Sequence, residues 1–238
     1  MTCLIIAAGR GSRLAERTDS KPLLAVAGRR LIEWVIRAAA RVDIRDFVVV
    51  TGYHSDQLQR FLAPWALQNG FSVACVYNPD WERENGLSVL RAKESLRDNF
   101  FLLMADHIFD EEIMSKLRSQ KIAAGEVILA VDSRMENNPD VDWNDVTKVR
   151  IRDGSIVDIG KTISDPNAFD CGVFLCTPAI FTALEESARR GDFTLSGGMR
   201  VLAERGKARA FDIGDLFWID VDDETALRKA ESRLCRHG

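Results

Sequence analysis

The stretch that decides the fold is residues 4–14, LIIAAGRGSRL. An apolar run enters a turn holding two glycines and two arginines, the composition of a phosphate-holding loop. Three glycine-rich loops share this composition and differ in chemistry. The dinucleotide fingerprint G-x-G-x-x-G needs a third glycine where Leu14 stands. It also needs an acidic residue after the second strand, where Thr51 and Gly52 follow VVV. The P-loop run G-x-x-x-x-G-K-[ST] does not occur. What remains is a loop in which Gly9 and Gly11 let backbone N–H groups approach phosphate oxygens without a Cβ in the way. Arg13, with Arg10 beside it, offers a planar fork to a phosphoryl group, and Lys21 before Pro22 adds a compact charge. A triphosphate under attack needs such a clamp. The plain alternative is a surface turn with incidental arginines.

Outward from the loop, apolar runs alternate with helical spacing. CLIIA, DFVVVT, FSVACVY, NFFLLMAD and EVILAVD read as strands. RLIEWVIRAAARV, LSVLRAKESLR and EEIMSKLRSQ read as helices, as does SDQLQRFLAPWALQN with Ser55 as candidate cap and Pro64 as candidate kink. The alternation predicts an α/β fold with a doubly wound, mostly parallel (mixed) sheet. The pattern then changes. TKVRIRDGSIVDIG reads as a hairpin around Asp153-Gly154, a type I′ signal. This small β-hairpin region is expected to shape a pocket for a second substrate. CGVFLC, ARAFDIG and LFWIDV follow as strands, and PAIFTALEESARR, LSGGMRVLAERG and DETALRKAESRLCR as helices.

The 238 residues suit one large domain, and a net charge of -4 argues against a general polyanion-binding role, nucleic acid included. Any basic cluster must be local. Cys3 and Cys75 lie in apolar runs and read as core residues. The odd count of five cysteines, and a start without a basic leader, predict a cytoplasmic protein. No stretch approaches the length of a membrane span.

With LIIAAGRGSRL followed by KPLL at 21–24, the chain resembles the nucleotidylyltransferases that activate sugar and alcohol phosphates with a nucleoside triphosphate. Their L-A-A-G-x-G-x-R-L loop and downstream K-P are matched by Ala7, Ala8, Gly9, Gly11, Arg13, Lys21 and Pro22. YNPDWERENGLSVLRA (77–92), MADHIFDEEI (104–113), DIGKTISDPNAFDCGVFLC (158–176) and FWIDVDDETAL (217–227) resemble the cytidylyltransferases of myo-inositol 1-phosphate. The likeness runs through essentially the whole chain. It implies a Rossmann-like nucleotidyltransferase (GT-A-like) fold in a single domain, 1–238. Residues 1–135 would serve mainly the nucleotide, and 136–238 mainly the acceptor and the second metal carboxylate. It implies CTP and a small alcohol phosphate as substrates, Mg2+ as cofactor, and CDP-inositol and pyrophosphate as products. In that family the domain is often fused to a membrane-embedded alcohol phosphatidyltransferase. This chain is expected to be free-standing, with a separate membrane enzyme as candidate user of the product and a homodimer as candidate assembly.

Asp106 ends the run NFFLLMA, and ligands of open α/β sheets gather at the carboxyl ends of strands. Magnesium keeps several waters and takes one or two protein carboxylates. The resemblance makes Asp106 and Asp220 the metal pair. Asp222 is a reserve ligand, better read with Asp223 as a cap of the last helix, and Asp110 is the expected cap of EEIMSKLRSQ. His107 invites a general-base role. A phosphate monoester, with a second pKa of about 6, needs no base, so His107 is expected to bond locally or orient Asp106. His54 and His237 carry no case.

The resemblance implies that Lys161 grips the acceptor phosphate, against the plain alternative of a solvated lysine. Asp170 suits the hydroxyls of a polyol, or a turn. For cytosine the candidates are Gly52, Glu84, Asn85, Gly86 and Ser88, although Asn85-Gly86 reads equally as a turn. Trp81 is a candidate for a ligand or dimer contact. The implied reaction is in-line attack of an alcohol phosphate on the α-phosphorus of CTP, with Arg13 and Lys21 neutralising charge. Replacing Lys21 or Asp106 by alanine is expected to lower turnover by a large factor while the fold survives. The alternatives are other acceptors (phosphocholine, a phosphonate, a sugar 1-phosphate), a glycosyltransferase suggested by the D-x-D-like DVD, and a non-catalytic nucleotide-binding module.

Overall fold

The computed structural model describes residues 1–135, 138 and 140–235; His237 lies outside them. The first part alternates as its periodicity predicts: β1 (Thr2–Ala7), a two-residue pair β2 (Ala25–Val26) and β3 (Arg29–Arg30), α1 (Leu31–Ala40), β4 (Asp46–Thr51), α2 (Ser55–Gln68), β5 (Ser72–Tyr77), α3 (Asn85–Arg91) and β6 (Phe100–Met104). Then come β7 (His107–Phe109), α4 (Glu112–Arg118), β8 (Val127–Asp132), β9 (Lys148–Arg152), β10 (Ser155–Gly160) and β11 (Ala168–Cys176). The chain ends with α5 (Ala179–Arg189), α6 (Leu195–Glu204), β12 (Ala208–Asp212), β13 (Trp218–Asp220) and α7 (Glu224–Cys235).

Nine strands form one mixed sheet in the order β5-β4-β1-β6-β11-β8-β12-β10-β9. The block β5-β4-β1-β6 is parallel, and β11 runs antiparallel to both β6 and β8. Parallel strands are covered on both faces, which is why β1 reads as an unbroken apolar run. Its residues alternate between two cores. Cys3, Ile5 and Ala7 pack on α1, α2 and α4, while Leu4, Ile6 and Ala8 pack on α3, α5 and α6. Ile5 is fully buried, and trimming such a residue to alanine costs about 2–5 kcal/mol.

Within the parallel block the chain order reverses between β1 and β6. Their carboxyl ends therefore open on one crevice, where ligands of such sheets bind. A second device completes it. β7 and β13 pair antiparallel with Asp220 opposite His107, and Val221 N donates to Asp106 O at 3.0 Å. A third apolar cluster, including Leu14, Leu31, Ile108, Ile219 and Leu227, backs this ribbon. In the hairpin, Asp153 (φ 50°) and Gly154 (φ 73°) both take positive φ, as a type I′ turn requires.

Four local expectations are corrected. Ser55 is the first residue of α2 rather than its cap; His54 holds that place at φ 49°, and the Ser55 hydroxyl lies 2.7 Å from Thr51 Oγ1. Cys75 is exposed because β5 is a sheet edge. Asp110 does not cap α4: its carboxylate accepts from Phe217 N at 2.8 Å and ties β7 to β13. Asp223 does cap α7, accepting from Ala226 N at 2.8 Å, but Asp222 points elsewhere, as described below. The five cysteines are free thiols, and no helix among the described residues is long and apolar enough to cross a membrane.

Candidate active site

The loop after β1 folds back on Lys21. Gly11 has φ 63°, and a Cβ there would lie 2.6 Å from Lys21 Cβ. The second glycine of the motif is thus required by packing as well as by any phosphate. Lys21, in a short 3-10 turn (Lys21–Leu23), keeps only 7% of its side chain exposed. Its Nζ donates to Asp106 Oδ2 at 2.7 Å and to Asp222 Oδ1, and lies 3.8 Å from Asp220 Oδ1. Burial works against the ammonium, but the three carboxylates outweigh it and raise its pKa above the ordinary lysine value.

Asp106 is opposed by burial, yet Lys21 and His107 hold its carboxyl well below the usual range. His107 Nδ1 lies 2.9 Å from Asp106 Oδ1, the orienting contact expected of it. Burial resists its charge, but Asp220 and Asp106 lift its pKa to about 9. Gly172 (φ 71°) on β11 presses on this ring: a Cβ would lie 2.5 Å from His107 Cδ2. Trp218 lies along the ring, centroids 6.1 Å apart, and is fixed by its Nε1 bond to buried Asp132 at 2.8 Å.

Asp220 is the odd member. Its Oδ1 is buried and has no hydrogen-bond partner, and burial lifts its pKa to about 7 despite His107 and Lys21. An orphaned carboxylate oxygen facing a second carboxylate is what a divalent cation resolves. One ligand atom each from Asp106, His107 and Asp220 lies within 4.8 Å of the others. The donor set fits a divalent metal ion.

Two adjoining cavities meet here. One, of about 260 Å³, is lined by Ala7, Gly9, Gly11, Arg13, Lys21 and Asp106. The other, of about 460 Å³, is lined by Asn85, Asp145, Lys161, Asp170, Ser196 and Thr225 among others. Arg13, Asp106 and Asp222 face both. Asp170 accepts from Gly172 N at 2.8 Å, and burial lifts its pKa to about 6. Arg13 donates to Asp145 at 2.6 Å and Asp222 at 2.8 Å, and Lys161 Nζ donates to Asp145 at 2.6 Å.

The structure therefore gathers Arg13, Lys21, Asp106, Asp220, Lys161 and Asp170 from six separate places in the chain. The expected base-reading group is gathered with them only in part. Asn85 lines the larger cavity together with Arg13, Asp106, Lys161 and Asp170, and its Oδ1 accepts from Leu195 N at 2.9 Å. Ser88 is buried, with Asn78 Nδ2 donating to its hydroxyl at 3.0 Å. Gly86 makes room for the next segment, since a Cβ would lie 2.5 Å from Phe193 O. Gly52 does the same for Ala8 O at 2.6 Å and Trp81, and exposed Glu84 precedes α3. Trp81 packs against Tyr53, centroids 5.0 Å apart, with Arg10 over the tyrosine.

Asp222, which the sequence offers as a reserve ligand and better as a cap, is shared by Lys21 and Arg13. Its spacing of two from Asp220 was the available signal. Neither Asp145 nor Gly172 is among the sequence candidates. Gly172, a glycine inside a strand, marks a close approach; Asp145 lies in an aperiodic stretch with no signal.

The chain is similar to known proteins over nearly its whole length. A bifunctional IPC transferase and DIPP synthase of Rubrobacter xylanophilus is 33% identical over 97% of this chain and 51% of its own length. A CMP-5'-(3-aminopropyl)phosphonate synthase of Streptomyces rubellomurinus is 33% identical over 97% of this chain and 38% of its own. The chain thus spans about half, or less, of these relatives. The inositol-1-phosphate CTP transferase of T. maritima shares the fold, with a TM-score of 0.83 at 23% identity over 98% of this chain and 95% of that one. The model of the MobA-like NTP transferase domain matches residues 3–206, from β1 to just past α6, and the chain belongs to that family.

Proposed function

We propose that this chain transfers a cytidylyl group from CTP to an alcohol phosphate, inositol 1-phosphate in first place, and releases pyrophosphate. The observation that carries this is the sharing of Arg13, Asp106 and Asp222 by the two cavities, one at the glycine loop and one holding Lys161. A reaction joining a triphosphate to a second phosphate needs such a seam. The relatives' names supply the substrates: the T. maritima protein is an inositol-1-phosphate CTP transferase, and the Streptomyces protein makes a CMP derivative.

In this reading residues 1–135 serve mainly the nucleotide and 136–238 mainly the acceptor. Backbone N–H groups of the Gly9–Gly11 turn, with Arg13 and Lys21, receive the triphosphate. Lys161 orients the acceptor phosphate, and Asp170 accepts from its hydroxyls. An acceptor oxygen attacks the α-phosphorus in line, the bond from the α-phosphorus to the bridging oxygen breaks, and pyrophosphate departs. Catalysis is positioning and charge neutralisation. Asp106 and Asp220 would hold Mg2+, which supplies further neutralisation at the phosphate oxygens. His107 fixes Asp106 and takes no proton from substrate.

The test is pyrophosphate release from CTP, UTP, GTP and ATP against inositol 1-phosphate, phosphocholine, an aminoalkyl phosphonate and glucose 1-phosphate. Release with CTP and inositol 1-phosphate is expected. Release only with UTP would end the cytidylyl assignment. A second reading, an aminoalkyl phosphonate acceptor, is favoured by Asp140, Asp142 and Asp170 around the larger cavity, which suit an ammonium as well as hydroxyls.

A further inference from the structure

In the reading above, Arg13 and Lys161 receive one substrate phosphate each. Both bond one shared carboxylate, and Arg13 also bonds Asp222. Asp145 Oδ2 accepts from Arg13 Nη2 and Oδ1 from Lys161 Nζ, each at 2.6 Å. The bond from Lys161, with that from Arg13 behind it, keeps the Asp145 carboxyl below its ordinary pKa, so it stays ionised.

The carboxylate is carried on a built support. Asp145 N and Val146 N donate to Asp142 O at 3.2 and 3.0 Å. Buried Lys148 donates to Lys161 O at 3.0 Å and lies 5.5 Å from the Trp143 ring, which packs edge-on to Phe169. The same support thus fixes both Lys161 and Asp145. Two oxygens spread between two cations is also how a phosphoryl group would meet them. The pairs are open to water: Arg13, Asp145 and Lys161 keep 49%, 30% and 60% of their side chains exposed. Ion pairs in that setting are worth about 1 kcal/mol or less and yield to a stronger anion.

We propose that Asp145 is a displaceable stand-in for substrate phosphate: it holds Arg13 and Lys161 aligned, and substrate phosphoryl groups must take its place, one on each of them. Asp145 is a positioning residue that sets how tightly the site takes phosphate. This rests on the roles given above to Arg13 and Lys161, but not on cytidine or inositol.

The test uses the whole chain and inorganic pyrophosphate, titrated calorimetrically. Asp145→Asn, and Asp145→Ser as a second variant, are expected to bind pyrophosphate roughly three- to tenfold tighter than the native chain. Asp145→Glu should remain near native. Asp158→Asn removes the same charge from β10, where its partner is Arg150, and should leave affinity unchanged. In turnover assays Asp145→Asn should lower KM for both substrates without raising kcat. Equal or weaker pyrophosphate binding by a folded Asp145→Asn or Asp145→Ser overturns the proposal, as does an equal gain in Asp158→Asn. Tighter pyrophosphate binding without any CTP-dependent turnover would sink the cytidylyl reading and leave this inference standing.

Discussion

Lys21 and Asp145 each bind several groups of opposite charge, yet they do opposite work. Lys21 is sealed, with 7% of its side chain exposed and three carboxylates around it. Asp145 sits at an open rim between two exposed cations. Burial makes the difference. In a low-dielectric setting a charge that loses its partner is stranded, and its removal costs about 3–5 kcal/mol. At the rim, water and salt take over the partner's place. The inner cluster therefore supports the fold while Lys21 still lines the smaller cavity, and the outer bridge is free to exchange.

That contrast is broken most directly at Lys21. Lys21→Met is expected to abolish pyrophosphate release and to lower the melting temperature by roughly 6–20 °C while the fold survives. A melting point within a degree or two of native would show that the three carboxylates do not depend on it. Asp106→Asn separates chemistry from folding. It keeps the shape and removes a charge, and turnover should fall by about 10²–10³-fold with a smaller change in melting. Near-native kcat there would remove Asp106 from the mechanism.

Gly172→Ala probes the inner cluster from behind. The positive φ and the His107 ring at 2.5 Å leave no room for a methyl group, and the expected cost is about 1–3 kcal/mol. Turnover should drop with it because His107 orients Asp106; a crystal structure of the variant with His107 unmoved would refute this account. A further effect is in pH. Because the folded His107 pKa is raised to about 9, its charge adds stability below the ordinary histidine value of about 6.5. That stability is lost as pH rises through about 9. His107→Gln should therefore melt lower than native at pH 6, with the gap closing above pH 9. A gap constant from pH 6 to 10 would mean that the ring contributes packing and no charge.

Legibility followed distance along the chain. β1, the glycine turn, Arg13 and Lys21 lie within a short stretch, and each is dictated by what its neighbours allow. Asp106 was legible because a strand's carboxyl end is where such a sheet opens. The cytosine candidates fared differently. Gly86 and Ser88 looked like a ligand-facing turn, but packing of α3 against residues 193–194 and Asn78 turns them inward. Cys75 misled for a related reason: an apolar strand reads the same at the centre of a sheet and at its edge.

By itself the sequence determined the strand–helix alternation, the phosphate-type loop and the presence of carboxylates at strand ends, because these follow from local periodicity and from residue chemistry. Tertiary structure alone decided that Asp222 serves Lys21 and Arg13 rather than capping α7, that Gly172 braces His107, and that Asp145 joins Arg13 to Lys161. Those contacts depend on the β7–β13 register, on the antiparallel insertion of β11 and on the segment before β9. Long-range pairing sets all three, and no local pattern encodes it.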